Sequence, residues 1–205
     1  MKHVAVLMGG WSAEREVSLR SGNACADALE RLGSYRVSRV DVTRDIAAAL
    51  RALEPDVALN LLHGRPGEDG TLQGMLEILG IPYSHSGVLA SALAMQKDIA
   101  KTVLKAVQVP APGGLVVTRA EAAKRHLLPT PYVIKPVAEG SSVGVFIVRG
   151  DHKHPPQELT RADWTFGEMV LVEPFIAGKE LTCAVMGDKP LGVIEIVPAT
   201  KFYDY

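Results

Sequence analysis

Cysteine is scarce in this chain: Cys25 and Cys183 are the only two in 205 residues. They lie far apart inside apolar patterns, with no companions at metal-ligand spacing, which points to buried free thiols in a reducing compartment. Long hydrophobic runs are missing too. Lys2 and His3 lead into a five-residue apolar stretch that stops at Gly9 and Gly10, too short for a signal peptide or a membrane span. A cytoplasmic location without membrane association is therefore expected. Nor is there an excess of charge of one sign: 22 Lys+Arg stand against 23 Asp+Glu. With no overall field to draw in nucleic acid, any anionic ligand has to be held locally. The two glycine-rich phosphate signatures that open a helix, GxxxxGK followed by Ser or Thr and GxGxxG, do not occur, so neither a Walker-type nor a dinucleotide-binding reading has support. Internal repeats and low-complexity tracts are absent as well.

What is present is alternation. Residues 4–8 form an apolar run ended by glycines, and a segment with apolar positions at Val17, Ala24, Ala28 and Leu32 follows, predicting a buried strand and then an amphipathic helix. Residues 37–41 predict a second strand, 46–53 a helix, and 57–62 a third strand running into His63. Leu72, Met75, Leu76 and Leu79 recur at helical spacing. Alternating strands and helices imply a parallel sheet with helices on its faces, and ligands collect beyond the carboxyl ends of such strands. The polar loops 9–16 and 63–70 fall there. From about Lys97 the pattern changes. A helix around residues 99–107 stops before Pro110 and Pro112, a candidate interdomain hinge because each proline restricts its predecessor to extended geometry. Strands are predicted at 115–117, on both sides of the turn at 139–144, and at 169–173, 181–185 and 191–197. Residues 118–126 read as a helix and 149–165 as a solvated excursion.

Four constellations can carry chemistry. Lys135 closes one strand and is followed by Pro136-Val137-Ala138-Glu139-Gly140-Ser141-Ser142-Val143-Gly144, a tight turn able to aim several backbone N–H groups at phosphate oxygens. An ordinary hairpin with a solvated lysine has the same composition. Ser12 to Ser18 follows the first strand directly; Ser12 fits an N-cap and Glu14 a favourable first-turn charge, so helix capping alone accounts for it as well as ligand binding does. His63, Gly64, Arg65, Gly67, Glu68 and Asp69 make a polar run beyond a buried strand, where function is the better reading. Lys97 with Lys135 could supply two charge-assisted hydrogen bonds to one polyphosphate. Finally, Glu173-Pro174-Phe175-Ile176 and Glu180 offer a linker edge, an apolar slot and a carboxylate suited to a nucleoside.

Taken in order, these segments resemble the bacterial D-alanine–D-alanine ligase family of the ATP-grasp superfamily. The residues that carry the resemblance are GGWSAEREVSLRSG at 9–22, HGRPGEDGTLQGMLE at 63–77, MQKDIAK at 95–101, IKPVAEGSSVGV at 134–145, VEPFIAGKELT at 172–182 and FYDY at 202–205. Trp11, Pro66 and Gln96 are small departures. The resemblance implies an α/β chain in three parts: a Rossmann-like parallel α/β substrate domain over 1–96, an ATP-grasp α+β lid domain over 97–177, and the start of a C-terminal ATP-grasp domain over 178–205. It implies ligation of two D-alanines through an acyl phosphate, with ATP as substrate. Glu14 and Ser141 would be catalytic. Glu14, His63, Glu68 and Ser141 would bind D-alanine, and Lys97, Lys135, Glu139, Ser142, Val143, Glu173, Pro174, Phe175, Ile176, Glu180 and Tyr203 would bind ATP. By the same resemblance the enzyme is a homodimer that supplies peptidoglycan precursor, and it uses Mg²⁺ or Mn²⁺ held by residues beyond 205. The chain is thus expected to be about two thirds of a ligase, inactive by itself. A D-alanine–D-lactate or D-alanine–D-serine ligase, or a non-catalytic nucleotide-binding module, remain open alternatives.

Overall fold

The computed structural model describes residues 1–197. Two compact units divide the chain, Met1–Ala100 and the residues from Lys101 onward.

The first unit is built around β1 (Lys2–Met8), which has parallel neighbours β2 (Tyr35–Asp41) on one side and β3 (Val57–Asn60) on the other. Its central place explains why its apolar residues run unbroken. Val4, Val6 and Met8 face one layer and Ala5 and Leu7 the other, all buried, as expected for a strand covered on both faces. Helix α1 (Arg15–Leu32) covers the first face. The buried stripe of α1 is Ser18, Gly22 and Ala26; of the apolar positions that predicted the helix, Val17 and Ala28 are half-buried, whereas Ala24 and Leu32 are exposed, Leu32 to 66%. Small residues win because the helix lies so near the sheet: a Cβ at Gly22 would stand 2.5 Å from Met8 Cβ. Helices α2 (Ile46–Leu53) and α3 (Thr71–Leu79) bury Ile46, Leu50, Leu72 and Leu76 against the opposite face. Each such fully buried side chain contributes about 1.5–3 kcal/mol.

The predicted third strand ends two residues early, at Asn60. Its side-chain Oδ1 accepts from the Leu62 N–H at 3.1 Å, drawing the chain out of the ladder. Residues 81–84 then run parallel to β3, with Ala58 bonded to both Pro82 and Ser84. Helix α4 (Val88–Met95) has no counterpart in the sequence reading, because an almost uniformly apolar or small run shows no period. Helix α5 (Lys97–Ala106) follows, with Ile99, Val103 and Leu104 exposed.

The second unit holds an antiparallel sheet in the order β4 (Leu115–Thr118), β7 (Met169–Pro174), β5 (Tyr132–Pro136), β6 (Phe146–Val148). One face carries Tyr132, Ile134, Val148, Val170 and Val172 against helix α6 (Arg119–Lys124). That short helix is started by a capping box: Thr118 Oγ1 accepts from Glu121 N, and Glu121 Oε2 accepts from Thr118 N at 3.1 Å. The stretch 149–165 is less solvated than expected. Its short 3₁₀ turn, Gln157–Thr160, inserts fully buried Leu159 into this core. Strands β8 (Glu180–Met186) and β9 (Lys189–Ile196) pair only with each other among the described residues, and nearly every residue on them is exposed. Cys183 is exposed with them and Cys25 is half-buried, so the expectation of two buried thiols fails; an apolar pattern marks a two-faced strand but does not say what covers it.

Candidate functional site

At the carboxyl end of the parallel sheet, the loops after β1 and β3 are tied together. Ser18 Oγ accepts from Gly9 N at 2.9 Å and donates to Leu61 O at 2.7 Å, while Ser12 Oγ donates to His63 O at 2.8 Å. Arg15 forks onto both oxygens of Asp41 at 2.7 and 2.6 Å and also reaches Gly10 O, pinning the first loop to the end of β2. Ser12 is therefore a loop brace and not the helix N-cap. Glu14 holds that position, without capping through its side chain.

That leaves the Glu14 carboxylate for something else. Glu14 is 5% exposed, and Oε1 is buried with no hydrogen-bond partner. Leaving a buried polar atom unpaired costs about 1–3 kcal/mol, more for a charge, so such an atom calls for a ligand. His63 Nε2 is likewise buried without a partner, and its Nδ1 lies 3.9 Å from Glu68 Oε1. Glu68 is held in turn, since its Oε2 accepts from Gly64 N at 2.8 Å. Glu14, His63 and Glu68 thus lie around Gly64 in the first unit.

Two further residues join them that the sequence reading overlooked. Asn60 Nδ2 donates to Gly67 O at 2.9 Å and meets His85 Nδ1 at 3.2 Å, while Asn60 Oδ1 accepts from Leu62 N. With the amide orientation fixed by two backbone partners, His85 Nδ1 has to accept, and the ring proton sits on Nε2. His85 itself adopts φ +85, a conformation L residues rarely take. Although the residue as a whole is exposed, partial desolvation of the ring holds its pKa below the ordinary value; Glu68 pulls it up and His63 pushes it down. The only sequence signal was position, just past a short apolar run beside β3.

The second unit presents a separate cluster. Lys135 on β5 and Glu173 on β7 are diagonal neighbours on one sheet face, since Lys135 pairs with Leu171 and Val133 with Glu173. Lys135 bonds Glu173 Oε1, and Lys101 of α5 bonds Oε2. Burial opposes ionisation of Glu173, but the hydrogen bonds from Lys101 and Lys135 prevail and hold its carboxyl below the ordinary range. Lys101 was not singled out from sequence, although it stands one helical turn after Lys97 and shares its face. Lys97 opens α5, half-buried.

The turn after β5 is held by Val143 N to Gly140 O at 3.0 Å and Val145 N to Ser142 O at 3.3 Å. Ser141, Ser142 and Gly144 have φ +50, +61 and +68. Two serines in left-handed geometry cost of order 1–3 kcal/mol each, the kind of strain that collects at ligand clamps. Gly144 fits closely, as a Cβ there would meet Pro136 Cγ at 2.9 Å and Phe166 Cδ2 at 3.0 Å. Glu139, Ser141, Ser142 and Val143 are all half-buried on this turn. Phe175 is half-buried under the Arg149 guanidinium, 5.7 Å from its ring centre, and its N–H donates to Pro131 O. Pro174 and Ile176 are exposed beside it, so the linker does not form a closed apolar slot by itself, and Glu180 is exposed at the start of β8. Tyr203 lies outside the described residues. Among those residues no three His, Cys, Asp or Glu side chains are grouped to hold a metal ion, and no helix is long and apolar enough to cross a membrane.

Comparison with known proteins gives this geometry its family. The D-ala D-ala ligase C-terminus family matches residues 103–205, and the D-ala D-ala ligase N-terminus family matches residues 43–86. The chain is 71% identical over 204 residues to the D-alanine–D-alanine ligases of Rhodopseudomonas palustris (strain BisB18) and Azorhizobium caulinodans, covering 100% of this chain and 66% of each relative. A crystal structure of the D-alanine–D-alanine ligase from Bacillus anthracis superposes with a TM-score of 0.78 at 34% identity, covering 100% of this chain and 67% of that one. The same enzyme complexed with ATP gives a TM-score of 0.76 at 33% identity. The chain belongs to the D-alanine–D-alanine ligase family, and it spans 66% of the length of the curated relatives it matches.

Proposed function

We propose that this protein joins two molecules of D-alanine at the expense of ATP, supplying the dipeptide end of the peptidoglycan precursor in the cytoplasm. The observation that carries the reading is Glu14: a buried carboxylate oxygen without a partner, at the carboxyl end of a parallel sheet, suits the ammonium of an amino acid. His63 Nε2 and Glu68 complete that subsite, and the Nε2–H inferred for His85 is close enough to both for their charges to act on its ring.

Two chemical steps follow. The carboxylate of the first D-alanine attacks the γ-phosphorus of ATP, forming an acyl phosphate and releasing ADP. The amine of the second attacks the acyl carbon, and the tetrahedral intermediate expels inorganic phosphate as the amide forms. Lys97 and Lys135 neutralise the polyphosphate. Ser142, Val143 and the strained turn around them close over it, with Glu139 at its base, and Ser141 seats the second D-alanine. Glu173, Pro174, Phe175 and Ile176 meet adenine, Glu180 and Tyr203 the ribose side. Exclusion of water protects the acyl phosphate, the task of a closing lid. A divalent ion, when bound, neutralises charge developing between the β- and γ-phosphates; the donor groups among the described residues do not fit one, and no step here runs through it.

The division into 1–96, 97–177 and 178–205, with a Rossmann-like first part and ATP-grasp parts after it, belongs to the same proposal, as does a homodimer. Support comes from the parallel sheet, the antiparallel sheet with its hairpin, and the two family matches. Phosphate release from ATP by the complete gene product tests the activity. D-Alanine alone should suffice, with the dipeptide recovered. A requirement for D-lactate or D-serine would redirect the assignment to the depsipeptide or mixed ligases, and no release with any of them would leave a nucleotide-binding module.

A further inference from the structure

Lys101 has no duty in the scheme above, yet its placement defines one. It reaches Glu173 Oε2 from α5, while Lys135 reaches Oε1 from β5. The Glu173 side chain is only 9% exposed. Toward β4 it meets the backbone at Gly114, where an added Cβ would stand 3.4 Å from Glu173 Cβ. Lys101 and Lys135 are the charged groups that act on this carboxylate among the described residues. Two ammoniums around one carboxylate leave one positive charge in excess at a mostly enclosed place, and such a place attracts an anion. An anion that engages Lys135 competes with Glu173 Oε1 for the same ammonium. Glu173 would then be a lone, enclosed carboxylate, and such a group takes up a proton unless another cation remains.

We propose that Lys101 is a positioning residue: the fixed counter-ion that keeps Glu173 ionised and oriented when Lys135 is handed over to a polyphosphate. Oε1 is thereby freed as an acceptor for a ligand N–H without the carboxylate losing its charge. This rests on the assignment of ATP to the second unit.

The test is calorimetric titration of ATP into the protein and into Lys101→Met, Lys101→Arg and the double variant Lys101→Met/Glu173→Gln, at pH 7 in buffers of different ionisation enthalpy. Lys101→Met keeps the apolar stem, so packing is largely preserved. It should take up close to one more proton per ATP than the unmodified protein, and by linkage its affinity should fall about tenfold more steeply per pH unit above neutrality. Lys101→Arg should match the unmodified protein, and the double variant, with no carboxyl to protonate, should lose the extra proton. If Lys101→Met binds ATP with the unmodified proton count, or if the extra proton persists in the double variant, the proposal is overturned. Absence of ATP binding by the unmodified protein would instead overturn the nucleotide assignment, and this inference with it.

Discussion

Gly64 packs beside Glu14: a Cβ added there would touch Glu14 Oε2 at 3.4 Å, an ordinary contact, and crowd Ser12 Cβ at 3.2 Å. The glycine also has φ +62. Backbone geometry and the approach to the carboxylate therefore both depend on the missing side chain. Gly64→Ala should lose about 1–2 kcal/mol of stability, the cost of left-handed geometry for an L residue, and should raise the KM for D-alanine. Urea denaturation alongside steady-state kinetics checks both; an unchanged KM would place the ligand elsewhere.

Glu14 itself should behave in the opposite way. Its Oε1 is buried without a hydrogen-bond partner, so Glu14→Gln, which removes the charge at nearly the same shape, should keep or gain stability, by about 1 kcal/mol, while D-alanine-dependent turnover is lost. Thermal unfolding and phosphate release are the measurements. A clear drop in melting temperature would show that the carboxylate is structural.

Glu173 makes a pH prediction whose sign is fixed. Its folded pKa lies below the ordinary 4.5 because Lys101 and Lys135 outweigh burial. Its stabilising contribution is therefore complete above about that value and is lost as pH falls through the folded one. Glu173→Gln should cost about 3 kcal/mol at neutral pH, the low end for a broken buried pair, because both ammoniums keep some contact with water. The difference from the unmodified protein should shrink toward pH 3 in urea titrations taken across the acid range.

For His85 the folded pKa is depressed from 6.5, chiefly by partial desolvation. The neutral ring is the one that accepts from Asn60, so its contribution is present above 6.5 and declines as pH falls below it. Its proton resonances should titrate with a midpoint under 6.5. His85→Gly, which also relieves φ +85, should flatten the stability profile between pH 6.5 and 5. A midpoint above 6.5 would mean that Glu68 dominates.

Much of this was legible in the residues because local rules and tertiary context agree. The central strand showed itself as a double-sided apolar run, α3 by its period, and the clusters at Glu14 and His63 by polar loops directly after buried strands. What escaped had physical reasons. The buried stripe of α1 is Ser18, Gly22 and Ala26, chosen for closeness to Met8 and not for hydrophobicity. Lys101 looked like any exposed lysine of a helix because its partner is seventy-two positions away in sequence. His85 reaches Asn60 only because residues 81–84 lie beside β3, a pairing of distant segments that no local pattern encodes. The β8–β9 hairpin has a strand's apolar composition without a covering layer among the described residues, so Cys183 is open where pattern alone implied burial.

The proposed division of labour has the amino acid held through Glu14 and the nucleotide through Lys135. Its most direct test is to measure, in the complete gene product, the ATP dissociation constant and the D-alanine KM for Glu14→Gln and Lys135→Ala side by side. Lys135→Ala should weaken ATP binding at least tenfold, about 1.4 kcal/mol, while Glu14→Gln should leave ATP binding intact and abolish D-alanine use. Unaltered ATP binding in Lys135→Ala, or normal D-alanine saturation in Glu14→Gln, would contradict it.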